Sequence, residues 1–192
     1  MPNSEIARNM FLFGNRPATE TADVAIEVHL VDRARAGERE AFDELYRMFA
    51  PMVHGIVLAR VPVDDVQDIV QEVFLVAYNK LDTLREKNAV GAWLVRIARN
   101  QTAEFYRQSR VTEELPDELT SRNNPEAEAR EILAAIRSMP EAYRETLVLR
   151  LVEGMTGNEI SERTGLKPES VRVNLHRGMD LLRQALGVGG RK

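Results

Sequence analysis

Between residues 64 and 81 the chain reads DDVQDIVQEVFLVAYNKL, and Val66, Ile69, Val70, Val73, Phe74, Ala77, Tyr78 and Leu81 recur at steps of three and four. That spacing predicts one α-helix with a single apolar stripe laid on a core. Asp64, Asp65, Asp68, Gln71 and Glu72 lie off the stripe and crowd the first half, where carboxylates complement the helix macrodipole. The dipole does not account for Leu75 and Val76, which are apolar residues on the otherwise polar side. This face reads either as a docking surface or as an ordinary solvated face.

The helical period continues on both sides. Residues 1–21 have no period and carry Pro2, Gly14 and Pro17, so they read as a mobile tail with Phe11-Leu12-Phe13 as its apolar spot. Val24, Ile26, Val28, Leu30 and Val31 make a helix ahead of Gly37. A longer helix over residues 38–60 follows, with Phe42, Leu45, Phe49, Val53, Ile56 and Val57 inward and a kink expected at Pro51. After the helix at 64–81, residues 82–91 form a polar loop punctuated by Asn88 and Gly91. The next helix, 92–108, turns Trp93, Leu94, Ile97, Ala98 and Phe105 inward and its arginines outward. Residues 22–110 thus make one all-α domain, with Trp93 as core filler.

Residues 111–126, with Pro116, Pro125, Asn123-Asn124 and a run of acids, read as a linker. Residues 127–192 make a second helical domain. Its first short helix holds Ile132, Leu133 and Ile136 and ends at Met139-Pro140; the next holds Tyr143, Leu147, Val148 and Leu151 and ends at Gly154. Thr156 and Glu159 form a capping box, in which each side chain satisfies a backbone donor at a helix start. That helix stops at Gly165, and Pro168 opens a last helix over 168–186 that buries Val171, Leu175, Met179 and Leu182. A capped short helix, a glycine turn and a longer basic helix make a helix-turn-helix, whose second helix enters the DNA major groove. The expected fold is all-α: two small helical domains joined by a flexible acidic linker.

Charge sharpens this picture. The whole chain carries a net charge of −4, which argues against a free-standing nucleic-acid binder. Residues 94–110 and 163–186, however, each carry a net +3, while residues 111–129 carry a net −5. Two basic patches separated by an acidic connector imply two DNA contacts. The absence of cysteine excludes disulfides, cysteine zinc sites and thiol catalysis. No apolar run approaches the roughly 20 residues that span a bilayer, and no secretory leader pattern opens the chain. The chain is expected to be cytoplasmic, without membrane insertion, and a monomer when free. His29, His54 and His176 form no metal or triad pattern, and no glycine-rich phosphate loop occurs. No catalytic residue, cofactor or metal is expected, and the chain is not read as an enzyme.

The helix at 64–81, preceded by AFDELYRMF (41–49) and followed by AWLVRIARN (92–100), resembles the second conserved region of bacterial sigma factors of the extracytoplasmic-function group. The helix-turn-helix resembles their fourth region. The resemblance implies that core RNA polymerase docks on Asp68, Gln71 and Glu72, with Asp65 and Leu75 beside them. It implies that Lys87, Asn88, Arg96, Arg99, Asn100 and Arg107 read the −10 promoter element and help melt the DNA, with Lys87 and Asn88 in a base-holding loop. The chain departs from its relatives at Leu84 and Val90, where aromatic residues are common. In the second domain it implies that Ser170, Arg172, Val173, Asn174, His176 and Arg177 meet the −35 element. Arg172 and Arg177 can bind guanine edges or phosphates, and Asn174 can pair with adenine. An anti-sigma factor is a further implied partner.

The leading reading is a promoter-specificity subunit of RNA polymerase. A stand-alone helix-turn-helix regulator is the alternative, and an adaptor that has lost DNA activity is a third. The Asp68-Gln71-Glu72 face separates the first from the second, because an operator binder has no reason to carry it.

Overall fold

The computed structural model describes residues 20–109 and 125–187, and side chains at 24–108 and 128–187. The tail expected at 1–21, with Phe11-Leu12-Phe13, and the linker expected at 111–126 fall almost wholly outside these residues. Eight α-helices and no strand occur among the described residues. They are α1 Glu20–Arg35, α2 Arg39–Leu58, α3 Val66–Lys80 and α4 Val90–Ser109, then α5 Pro125–Arg137, α6 Glu141–Leu151, α7 Gly157–Thr164 and α8 Pro168–Ala185.

The first four pack as a bundle around α2, which runs without a break through an exposed Pro51. Phe49, Met52, Val53 and Ile56 of α2 are fully buried, as are Val73 of α3 and Ala98 of α4. Three boundaries differ from expectation. The helix expected from Asp64 begins at Val66, because Pro62 holds an extended ψ of 152° and the Asp64-Asp65 pair is spent on a 3₁₀ turn, Val63–Asp65. The loop expected at 82–91 contains two further 3₁₀ turns, Leu81–Thr83 and Lys87–Ala89. Helix α4 therefore starts at Val90, and Gly91 is a helical residue rather than punctuation. Tyr78, assigned to the buried stripe, is 48% exposed at the edge of α3.

In the second group, α8 lies against α6 and α7. Val171 and Leu182 are buried, Leu175 and Met179 only half-buried, and a Cβ at Gly178 would lie 3.0 Å from Leu147. The capping box forms as expected: Thr156 N–H donates to Glu159 Oε2 at 2.7 Å, and Glu159 N–H donates to Thr156 Oγ1 at 3.2 Å. Gly165 then takes φ +73°, a left-handed conformation that glycine adopts without steric cost, and turns the chain into Lys167 and Pro168.

The two groups are not separate bodies in this structure. Helix α6 packs on α2, and α7 packs on α4 and α2. Five consecutive residues of α6, Glu145 to Leu149, are buried. A helix hydrophobic on only one side cannot bury five residues in a row, since they point all round its axis. Helix α6 is buried on two sides, one against α8 and one against the first domain.

Candidate functional site

Three surfaces carry the residues singled out from the sequence. The first is the outer face of α3. Asp68, Gln71, Glu72 and Leu75 line one open groove of about 580 Å³, together with Phe42, Phe74 and Tyr78. Leu75 is 60% exposed, so it contributes nothing appreciable to the core and leaves apolar surface for a partner. Phe42 and Tyr78 meet edge to face at 5.0 Å, and Tyr46 and Phe74 pack as a tilted pair at 4.5 Å, so an aromatic wall runs beside the carboxylates. Phe42 and Tyr78 were read from the sequence as inward-facing, and the groove's aromatic part was missed for that reason. Asp65 sits in the preceding 3₁₀ turn and does not line the groove.

The second surface spans the loop after α3 and the outer side of α4. Arg35 of α1 anchors the loop by donating to the Leu81 carbonyl at 3.0 Å and to the Leu84 carbonyl. Asn88, Arg96, Asn100 and Arg107 are exposed; Lys87 is ion-paired with Asp32, and Arg107 with Glu104. Leu84 and Val90, the positions of the departure from the aromatic pattern, are 4% and 1% exposed and belong to the core. Neither offers a ring or a side chain for stacking on a base in this conformation.

Arg99 departs most from expectation. It was expected to point outward, but it donates to both oxygens of Glu145, at 2.6 Å and 3.1 Å. Glu145 is only 3% exposed, and Arg60 donates to it as well, at 2.6 Å and 2.9 Å. The bond to Glu145, more than its charge, raises the Arg99 pKa further above its ordinary value, although burial opposes it. A buried carboxylate needs such partners, and two guanidiniums from the other domain supply them. Glu145 stands between Arg144 and Thr146 in the sequence, and nothing local marks it as a buried charge.

A second polar contact crosses the same interface. His54 Nδ1 lies 2.6 Å from Glu153 Oε1. The hydrogen bond to Glu153 raises the His54 pKa above 6.5, burial works against it, and the Glu153 charge adds to the rise. The pair's contribution to stability is therefore full below about pH 6.5 and fades as pH rises through the raised value. In an NMR titration, the His54 ring is expected to titrate above the ordinary histidine value, and Glu153→Gln to lower that midpoint. A midpoint at or below 6.5 in the wild type would contradict the pairing.

The third surface is the free face of α8. Ser170, Arg172, Val173, His176 and Arg177 are exposed and Asn174 is half-exposed, so all six stand on the accessible side of α8. His176 lies 3.6 Å from Asp180, and Arg183 donates to the same carboxylate at 2.8 Å. Among the described residues there is no cluster of His, Asp or Glu that could hold a metal, and no helix is long and apolar enough to cross a membrane.

Comparison with known proteins places these surfaces in context. The family description "Sigma-70 region 2" matches residues 45–112, and "Sigma-70, region 4" matches residues 129–182. The chain is 34% identical to the RNA polymerase sigma factor SigZ of Bacillus subtilis over 127 residues, 63% of this chain and 72% of that one. It is 32% identical to the ECF RNA polymerase sigma-E factor of Escherichia coli over 173 residues, 80% of this chain and 90% of that one. Among solved structures it resembles CnrH in complex with the cytosolic domain of CnrY, with a TM-score of 0.61 at 23% identity over 86% of this chain and 99% of that one. It also resembles the sigma factor RpoE of Bartonella quintana, solved with the anti-sigma factor NepR, with a TM-score of 0.55 at 16% identity over 78% of this chain and 98% of that one. These two likenesses establish the fold.

Proposed function

Because the chain belongs to the sigma-70 family of RNA polymerase sigma factors, in its extracytoplasmic-function group, and so directs promoter-specific initiation, we propose a division of that work among its three surfaces. Core RNA polymerase docks on the α3 groove through Asp68, Gln71, Glu72 and Leu75, with Phe42 and Tyr78 as the apolar wall. Asn88, Arg96, Arg99, Asn100 and Arg107 contact the −10 element, and Lys87 does so once released from Asp32. Arg172, Asn174 and Arg177, with Ser170, Val173 and His176 around them, meet the −35 element in the major groove.

The observation that carries this division is the groove itself. It sets carboxylates, an amide and an exposed leucine on one face of a helix whose opposite face is core. A stand-alone operator binder has no use for such a face. The chain itself performs no catalysis, since polymerisation belongs to the core enzyme, and it acts in the cytoplasm where that enzyme works. An anti-sigma factor is a further proposed partner, by analogy with the Bartonella quintana protein. Run-off transcription with purified core tests the proposal: defined transcripts are expected only when the chain is added, and none from core alone. Transcription that is the same with and without the chain would reject it.

A further inference from the structure

The loop between α3 and α4 carries Lys87 and Asn88, and part of what fixes it comes from α1. Its sequence, LDTLREKNAVG over residues 81–91, contains no aromatic side chain. A base drawn from the stack cannot be held by a ring of this loop. It has to be held by hydrogen bonds, which weaken steeply once donor and acceptor are turned out of line. Such capture favours a loop whose backbone is already in place, because ordering it on binding costs affinity.

The structure supplies that order. Leu84 and Val90 are buried at the two ends, so residues 85–89 form a short exposed span. Both 3₁₀ turns are closed by their own backbone: Leu84 N–H donates to the Leu81 carbonyl at 3.2 Å, and Ala89 N–H to the Glu86 carbonyl at 3.0 Å. Helix α1 packs on both turns, and its Asp32 pairs with Lys87 of the second. Arg35 ties down the first. Its Nε and Nη2 donate to the Leu81 carbonyl at 3.2 Å and 3.0 Å, and Nη2 donates to the Leu84 carbonyl as well. Leu81 and Leu84 are both buried, where a carbonyl depends on protein donors. A cation in the last turn of α1 suits the helix dipole, and Arg33, which donates to Glu38 at 2.8 Å, already supplies one. The dipole has no need of a fork that spans two carbonyls of another segment. A rigid planar guanidinium makes that fork, and an ammonium does not.

We propose that Arg35 is a positioning residue for the −10 reader: it touches no DNA, and it holds the 81–84 turn so that Asn88 meets the exposed base already in place. The proposal rests on the assignment of this loop to the −10 element. A loop in its binding conformation in only about a tenth of the molecules binds its strand about tenfold more weakly than one always in place.

The probe is a fluorescent single strand that the wild-type holoenzyme selects from a pool randomised over the −10 element, with a scrambled strand as control. In holoenzyme, Arg35→Ala and Asn88→Ala are each expected to bind the selected strand about tenfold more weakly, with affinity for core unchanged. The double variant is expected to be little weaker than either single one, because Arg35 acts through the placement of Asn88. Arg35→Lys, which keeps the charge but not the fork, is expected to behave as Arg35→Ala. In the free chain, hydrogen exchange at the Ala89 amide is expected to quicken in both Arg35 variants at unchanged helicity. Additive losses in the double variant overturn the positioning role. So do wild-type strand binding by either Arg35 variant, unchanged exchange at Ala89, or an equal loss of core affinity in both Arg35 variants. Wild-type binding by Asn88→Ala is a different failure: the loop then does not read the −10 strand, and the assignment beneath the proposal falls with it.

Discussion

Reversing the charge of Asp68 and Glu72 together is expected to lower affinity for core polymerase by about thirtyfold or more. Both carboxylates are exposed on the α3 groove. At an interface, loss of one partner from a desolvated, hydrogen-bonded charge pair costs about 2–5 kcal/mol, whereas a rim charge costs far less. A groove flanked by Leu75 and an aromatic wall provides the apolar surroundings that desolvate such pairs. The effect on folding is smaller. Asp68 lies in the first turn of α3, where its charge favours the macrodipole by about 0.3–1 kcal/mol, so helicity by circular dichroism should stay near wild type. Leu75→Ala, at a side chain with little core burial, is expected to weaken binding with almost no change in melting temperature. Wild-type co-purification of the Asp68→Lys, Glu72→Lys double variant with core would remove the docking role from this face.

The second large effect separates the two DNA readers. Arg172→Ala and Arg177→Ala alter the exposed face of α8, so they should damage binding to duplex upstream DNA, each by about 1–3 kcal/mol if the lost contact is bidentate. Asn88→Ala and Asn100→Ala alter exposed positions near α4, and their loss should damage open-complex formation instead. A premelted template removes the cost of unstacking but not the need to read the exposed strand. Partial rescue is therefore expected for the two asparagine variants. No rescue is expected for Arg172→Ala on a promoter that depends on its upstream element. Full rescue of Arg172→Ala, or wild-type transcription by both asparagine variants on duplex DNA, would contradict this division.

Much of this architecture can be read from local sequence. The stripe from Val66 to Ala77 is buried as its period requires, and the Thr156–Glu159 capping box, the Gly165 turn and Pro168 at the first helical position all form. Each is decided within one or two helical turns. What the sequence left hidden is long-range. Gly91 was read as a loop glycine, because the Arg163 carbonyl that requires it lies more than seventy residues away. Arg99 was read as outward-facing because its partner, Glu145, belongs to the other domain. Tyr78 falls on the apolar period yet is left at the rim, where a groove rather than a helix covers its face. The three consecutive apolar residues Leu147, Val148 and Leu149 were the overlooked clue, since a one-sided helix has no place for them.

The division between a polymerase-dependent strand reader and a duplex reader is tested most directly by permanganate footprinting of promoter DNA, with the chain alone, with core alone and with both. Reactive, unpaired thymines are expected in the −10 region only when chain and core are present together, with only weak upstream protection by the free chain. Strong upstream protection by the chain alone, with no thymine reactivity on adding core, would mark an operator-binding regulator and contradict the account.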